Sequence, residues 1–189
     1  MKENNKIKYE KILEEEKFPI LVLILVGILG LGIRLYFLPF DLVLNNDGAT
    51  YFWYANDVSI LGKLPTEISS NIDTQFPNNG WPTFVSLFFS LINSESFLDY
   101  MNAQRVISAF ISVLTIIPIY FLGKKFFNRT YSIIVATLFC FEPRLIENSL
   151  LGVTEPMYLL LGITTLVLFL NKNDKIILIS FAIRSDTLT

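Results

Sequence analysis

The chain contains no histidine and a single cysteine, Cys140, and both shortages restrict its chemistry. Without histidine, these residues cannot build a Ser-His or Cys-His catalytic pair or an imidazole-ligated zinc site. One cysteine excludes an internal disulfide and a thiolate metal cluster. Any side chain that acts as acid, base or metal ligand must therefore be a carboxylate.

Charge is also scarce. Charged residues make up 17% of the 189 residues, the formal net charge is −2 and no stretch forms a basic patch, so no nucleic-acid partner is expected. Hydrophobic residues make up 52%, and the mean hydropathy is +0.52. They lie in blocks instead of amphipathic stripes, which is typical of a multi-pass membrane protein and not of a soluble domain.

The first apolar block, 18–40, predicts a transmembrane helix. It holds one charge, Arg34, in 23 residues, which at about 1.5 Å per residue cross a hydrocarbon core roughly 30 Å thick. Further spans are predicted at 103–122, from Tyr131, at 156–170 and from Ile176, the last incomplete at Thr189. The predicted fold is an all-α polytopic membrane domain, 18–189, with about five transmembrane helices after a tail, 1–17.

Lysine and arginine set the expected orientation. They concentrate in the tail, in the loop after the second span and in the loop after the fourth, and the positive-inside rule places these segments in the cytoplasm. The loop 41–101 and the connection 142–155 then share the outer face. We therefore expect a plasma-membrane protein with a cytoplasmic N-terminus and a long outer loop.

The outer loop 41–101 is acidic and partly apolar. Between Phe40 and Arg105 lie seven acidic residues and one basic residue, Lys63. The aromatic segment 49–55 and the apolar run 83–92, which is too short to span, predict interfacial helices that lie on the membrane. Carboxylates gathered beside lipid make this face a candidate chemical site.

Asp47 and Glu155 are the candidate catalytic carboxylates, and each also has a purely structural interpretation. Asp47 precedes a predicted helix and suits an N-cap. Glu155 follows Thr154 at the start of the fourth span, where the helix dipole favours an acidic residue. For each of these residues taken singly, capping alone explains its position as well as a catalytic role does.

The segment between the third and fourth spans favours a functional interpretation. The apolar runs on either side of Glu142 are only about 17 and 22 Å long, so ionisable groups lie at lipid depth, where they are costly. Two alternatives remain open. Arg144 pairs with Glu142 or Glu147 only to lower the insertion cost, or these groups line a cavity that meets the Asp47 loop.

Three further arginines lie in the spans. Arg34 and Arg105 are predicted near the outer ends of the first two, where their side chains would snorkel to the interface, and Arg184 near mid-depth on the fifth. Guanidinium groups match phosphate oxygens. Arg105, Arg144 and Arg184 are therefore candidate ligands of a phosphate-bearing lipid.

Short motifs recur in a fixed order relative to the spans. They are Gly32-Ile33-Arg34-Leu35-Tyr36-Phe37, Asn46-Asp47-Gly48-Ala49-Thr50-Tyr51, Gly80-Trp81-Pro82-Thr83, Ala103-Gln104-Arg105-Val106-Ile107-Ser108, Tyr120-Phe121-Leu122-Gly123-Lys124-Lys125-Phe126-Phe127, Glu142-Pro143-Arg144 and Ser149-Leu150-Leu151-Gly152-Val153-Thr154-Glu155-Pro156. Together they resemble the N-terminal part of the GT-C glycosyltransferases over most of 20–188. The resemblance is closest to family 39, the type of protein mannosyltransferases and lipid-A aminoarabinose transferases.

The resemblance implies transfer of a sugar from a polyprenyl-phosphate donor to a protein or glycolipid acceptor on the outer face, with inversion at the sugar carbon. It implies that Asp47 acts at the acceptor as a general base or through a metal, and that Glu155 is the acidic residue opening the fourth span. Use of a divalent cation is left open, because Gly48 stands where many relatives have a second acidic residue.

Relatives of this type have many more spans and often a soluble outer domain, so the sequence is expected to be an N-terminal fragment. Two other functions stay open. A permease is less favoured because the chain shows no inverted repeat and no pair of short helices broken by glycine or proline. A non-catalytic or truncated remnant would be indifferent to replacement of Asp47 and Glu155.

Overall fold

The computed structural model describes residues 2–44, 46–62 and 80–171, and every regular element in these ranges is an α-helix. The helices are α1 (Lys2–Tyr36), α2 (Asn46–Leu61), α3 (Gly80–Phe89), α4 (Phe97–Leu114), α5 (Ile116–Gly123), α6 (Arg129–Cys140), α7 (Pro143–Leu150) and α8 (Glu155–Leu170). The predicted all-α architecture is confirmed for this part of the chain. The predicted fifth span and Arg184 lie outside the described residues.

Two stretches in the described ranges are long and apolar enough to cross a membrane, Lys17–Tyr36 and Phe97–Gly123. The first has 20 residues, about 30 Å of helix. It ends at Tyr36, earlier than predicted, because Pro39 disfavours helical backbone at the residue before it. Helices α6 and α8, with 12 and 16 residues, are shorter than a full span.

The second long stretch consists of α4 and α5, which follow each other almost without a break. Ser96 caps the N-terminus of α4, and its hydroxyl accepts a hydrogen bond from the Leu98 amide. Between the two helices, the Thr115 hydroxyl donates to the Ile111 carbonyl at 3.0 Å. Such back-bonding, with Pro118 one turn later, commonly bends a helix without ending it.

Helix α4 is central, because it contacts α1, α2, α3, α5, α7 and α8. Its apolar surroundings form two clusters of buried side chains. One lies between α2, α3 and α4 and includes Phe52, Trp81 and Phe89. The other joins α1, α5 and α6 and includes Tyr120 and Cys140.

Close approach of α1 and α6 depends on a glycine. A Cβ atom added to Gly30 would collide with the Cys140 sulfur, whereas one added to Gly32, on the same helix, would meet nothing within 4 Å. The sequence placed Cys140 inside the third apolar block, and the structure shows it fully buried and free.

The segment that links α6 to α8 forms a helix of its own, α7. It begins after Glu142, whose carboxylate accepts a hydrogen bond from the Leu145 amide at 2.7 Å, with Pro143 in the first turn. Gly152, at a φ of +68°, lies in the turn to α8. The two short apolar helices, α6 and α8, are therefore separated by a capped amphipathic helix, and the chain does not run from one directly into the other.

The expectation that Arg34 and Arg105 snorkel to the interface is wrong. Arg34 is 0% exposed and Arg105 is 3% exposed, so both guanidinium groups lie inside the bundle. Each guanidinium donates hydrogen bonds to acceptors inside the bundle. Moving either side chain to the interface would break these bonds.

Candidate functional site

Gln104 on α4 joins two turns that are far apart in the sequence. Its side-chain nitrogen donates to the Gly48 carbonyl at 3.0 Å and to the Gly152 carbonyl at 2.6 Å, and the side chain is fully buried. Gly48 belongs to the first turn of α2, and Gly152 lies in the turn before α8. We call this meeting point of Gly48, Gln104 and Gly152 the Gln104 junction.

Both glycines at the Gln104 junction are required by space. A Cβ atom at Gly48 would lie 2.5 Å from the Leu151 carbonyl oxygen, so the backbones of the two turns are in direct contact. A Cβ atom at Gly152 would lie 3.2 Å from a Leu44 methyl and 3.3 Å from Gln104, and its positive φ also favours glycine. Neither turn accepts a larger residue without moving.

Trp81 ties α3 to the same point. Its indole nitrogen donates to the Gly152 carbonyl at 3.0 Å, and the side chain is 2% exposed. Its ring stacks with that of Phe84, at a centroid distance of 6.2 Å. The turn before α8 is thus held by two side-chain donors, one from α3 and one from α4.

Asp47 lies in the first turn of α2 and is exposed. The helix already includes Asn46, which adopts a positive φ of 47°, and the Thr50 hydroxyl donates to the Asn46 carbonyl. Asp47 is therefore inside the helix and does not take the N-cap position suggested by its sequence context. Its carboxylate makes no described hydrogen bond, which leaves it available to a substrate.

Glu155 is the first residue of α8 and is also exposed, with Pro156 next to it in the first turn. Thr154 occupies the N-cap position, but its side chain makes no capping hydrogen bond. The predicted place of Glu155 in the first turn of this helix is confirmed.

A small cavity of about 10 Å³ lies beside Glu155. Its lining includes Ser112 and Thr115 of α4 and Asn148 of α7. This volume suits about one water molecule and is far too small for a sugar. The described residues around Glu155 therefore do not enclose a substrate-sized space.

The charged residues of the α7 region are not paired with one another. Glu142 caps α7, while Arg144 and Glu147 are exposed, and no ion pair joins the three in the described part of the chain. The interpretation that Arg144 only neutralises Glu142 or Glu147 is therefore wrong. Arg144 remains accessible at the start of α7, the helix that leads to the Gln104 junction.

Arg34 is at the centre of a separate polar cluster in the bundle. Its Nε donates to the Ser149 hydroxyl and its two terminal nitrogens to the Ser112 hydroxyl and the Gly30 and Cys140 carbonyls, all at 3.1 Å. Arg34 thus fastens α1 to α4, α6 and α7. Ser112 also lines the cavity beside Glu155, so the two features adjoin.

Arg105 holds the connection between α1 and α2. One terminal nitrogen donates to the Pro39 carbonyl at 3.1 Å, the Leu42 carbonyl at 2.6 Å and the Asn102 side chain at 3.0 Å. Its Nε has no partner among the described residues, and the same holds for the side-chain oxygens of Gln104 and Ser108. These contacts give Arg105 a structural task, and its binding of substrate stays a prediction, as does that of Arg184.

The described residues do not fit a metal centre. They contain no group of three or more histidine, cysteine, aspartate or glutamate side chains that could hold an ion. A hard divalent cation prefers about six oxygen ligands. Burial raises the pKa of the Tyr54 phenol on α2 further above its ordinary value, which already lies well above neutral pH, so the phenol is not a base at neutral pH. Exposed carboxylates are the available bases.

Sequence reasoning missed the residues that assemble the site. Gln104, Trp81 and Gly152 were seen only as members of motifs, without a task. An amide side chain in an apolar span and a glycine three residues before a helix were the available signals. Neither signal identifies the hydrogen-bond partner of the residue, because the partner depends on how the helices pack.

Comparisons with protein-family models, with curated proteins and with solved structures give no match to this chain. The resemblance to the GT-C glycosyltransferases therefore stays a prediction.

Proposed function

We propose that this protein transfers a sugar from a polyprenyl-phosphate donor to an acceptor at the outer face of the membrane. The observation that carries the proposal is the Gln104 junction, which brings the first turn of α2 against the turn that opens α8. Asp47 and Glu155 stand next to these two turns. Two exposed carboxylates from distant parts of the sequence therefore lie at the same end of the bundle.

In this proposal Asp47 is the general base. Its carboxylate takes the proton from the acceptor hydroxyl or amine as the acceptor atom forms a bond to the sugar's anomeric carbon. The bond between that carbon and the phosphate oxygen breaks on the opposite side, and the electron pair leaves with the polyprenyl phosphate. The configuration at the carbon is inverted.

Charge on the departing phosphate needs a cation nearby. Arg144 is exposed at the start of α7 and is not paired with Glu142 or Glu147, so it suits this task. Glu155 would orient the acceptor or the sugar hydroxyl groups from the start of α8. Arg105 is less suited, because its guanidinium already binds two backbone carbonyls.

The proposed arrangement has about five spans, with the tail 1–17 in the cytoplasm and the Gln104 junction at the outer face of the plasma membrane. Its support is the basic residues of the short loops and the two long apolar stretches. Helices α2 and α3 would then lie at the interface. Trp53 and Leu87, which are 49% and 64% exposed, would contact lipid there.

Replacing Asp47 by asparagine tests the function. The amide keeps the size of the side chain but cannot accept a proton, so transfer from a polyprenyl-phosphate sugar should fall about 100-fold or more. The assay uses membranes that contain the full-length gene product and follows release of polyprenyl phosphate together with labelled acceptor.

The matched control is Asp41→Asn, which removes an exposed carboxylate from the α1–α2 connection. It should keep wild-type turnover, and both variants should keep the wild-type unfolding temperature. Wild-type turnover in Asp47→Asn would refute the general-base assignment and reduce Asp47 to a surface residue of α2.

A further inference from the structure

An apolar groove runs between α1 and the α4–α5 stretch. It has a volume of about 570 Å³, and its walls include Ile20, Ile24 and Leu31 on one side and Phe110 and Phe121 on the other. Almost no polar atom faces it. Gly27 forms part of its floor, because a Cβ atom there would lie 3.5 Å from side chains of α4 and α5.

The groove has the length of one membrane leaflet. From Ile20 to Leu31 there are eleven steps of helix, about 17 Å, and half of a hydrocarbon core is about 15 Å. Its walls belong to the two stretches that are long enough to span a membrane. A groove of this kind in hydrocarbon offers water no hydrogen bond, so it suits an alkyl chain.

Positive charge lies at one end of the groove. Lys17 precedes Ile20 by one turn of α1 and is exposed. The Lys124 ammonium lies 5.5 Å from the ring centroid of Tyr120 and 6.0 Å from that of Phe121, and both rings line the groove. Two cations from different helices therefore stand where an alkyl chain in the groove would meet its headgroup.

We propose that this groove binds an anionic phospholipid, with one acyl chain between α1 and α4–α5 and the phosphate beside Lys17 and Lys124. The charge at the end of the groove argues for an anionic headgroup, and the leaflet length argues for a single chain. The Gln104 junction lies toward the opposite end of α4, so this site is separate from the proposed sugar-transfer site and does not depend on it.

Lipid retention in native mass spectrometry tests the proposal. The full chain in a neutral detergent is titrated with phosphatidylglycerol and with phosphatidylcholine of the same acyl chains. One phosphatidylglycerol should bind more tightly than phosphatidylcholine. Removing one charge, by Lys17→Gln or Lys124→Gln, should weaken its binding about fivefold, the value expected for one lysine near an anionic headgroup.

Lys125→Gln is the control for charge. Lys125 is the next residue along the chain and is exposed, whereas the Lys124 ammonium lies over the rings of Tyr120 and Phe121, which line the groove. This variant should bind phosphatidylglycerol like the wild type. Equal binding of the two lipids by the wild type would overturn the headgroup assignment.

Gly27→Leu and Gly32→Leu form the matched pair for the acyl chain. The first fills the groove, and the second adds the same side chain to the same helix in open space. Gly27→Leu should weaken binding of both lipids at least tenfold, while Gly32→Leu should leave it unchanged. Equal binding by the two variants would overturn the groove assignment, as would displacement of the lipid by millimolar inorganic phosphate alone.

Discussion

Arg34 is a full charge inside an apolar bundle, and its described acceptors are all neutral. Two hydroxyl groups and two carbonyls accept its hydrogen bonds, and no carboxylate is paired with it in the described ranges. Burial of such a charge is costly unless its donors are satisfied. The planar guanidinium meets this condition, because its donors point in several fixed directions at once.

Arg34→Lys should therefore destabilise the protein although it keeps the charge. A single ammonium cannot reach acceptors on α1, α4, α6 and α7 together, and the loss of two hydrogen bonds from a charged donor costs about 3–6 kcal/mol. Thermal unfolding in detergent measures the change. Arg144→Lys, at an exposed position, is the control and should change stability by less than about 0.5 kcal/mol. Equal stability of the two variants would contradict the role given to Arg34.

At this scale, sequence reasoning identified the rare charge but not its environment. The single arginine in 18–40 was visible as unusual, yet its distance from the predicted outer end favoured snorkelling. The structure instead provides Ser112 and Ser149 on other helices as acceptors. The contrast with Arg144, which is exposed, shows that residue type alone does not decide whether an arginine is buried.

Among the elements, α3 is joined by a side-chain hydrogen bond to the turn before α8. Trp81 is its main link to the Gln104 junction, through the hydrogen bond to the Gly152 carbonyl. Trp53 on α2 offers a comparison, because it is 49% exposed and its ring contacts those of Phe52 and Phe97.

Trp81→Phe should lower the free energy of unfolding by about 1.5–3 kcal/mol, since it removes a buried hydrogen bond and leaves a small void. Trp53→Phe should cost less than about 1 kcal/mol. Chemical denaturation in mixed micelles compares the two. A larger loss in Trp53→Phe would mean that the aromatic contacts of α2, and not the Gln104 junction, hold this end of the molecule.

Element boundaries were predictable where the chain carries a strong local signal. The fourth apolar block at 156–170 corresponds to α8, and the run 83–92 overlaps α3. Helix α2 ends at Leu61, before Gly62, which adopts a positive φ. The separate helix α7 was not predicted, because the Glu142 cap and the Gly152 turn matter only once α6 and α8 have been brought side by side.

For the whole molecule, the orientation in the membrane is the main prediction that stays open. The single cysteine, Cys140, is fully buried and should react slowly with a charged maleimide. Introduced cysteines can therefore be labelled without removing it. Asp41→Cys should react in intact cells, and Phe126→Cys, at a side chain 68% exposed, only after the membrane is opened. The reverse pattern would invert the topology, and labelling of both in intact cells would refute a spanning arrangement.

The site as a whole was only partly predictable. The meeting of the Asp47 loop with the 142–155 connection was an expected alternative, and the contact between Gly48 and Leu151 supports it. That Gln104 would make the contact was not expected, because the face that an apolar span turns to its neighbours is decided by packing.

The Gln104 junction also has a consequence for synthesis in the cell. Gln104 binds a residue 56 positions earlier and a residue 48 positions later. At about 5–20 residues per second, the ribosome needs roughly 2–10 s to add the stretch from Gln104 to Gly152. During this interval Gln104 and Trp81 have no Gly152 carbonyl to bind, and the first turn of α2 has no Leu151 backbone to rest against. A newborn chain whose translation pauses before Gly152 would therefore lack the Gln104 junction until translation resumes.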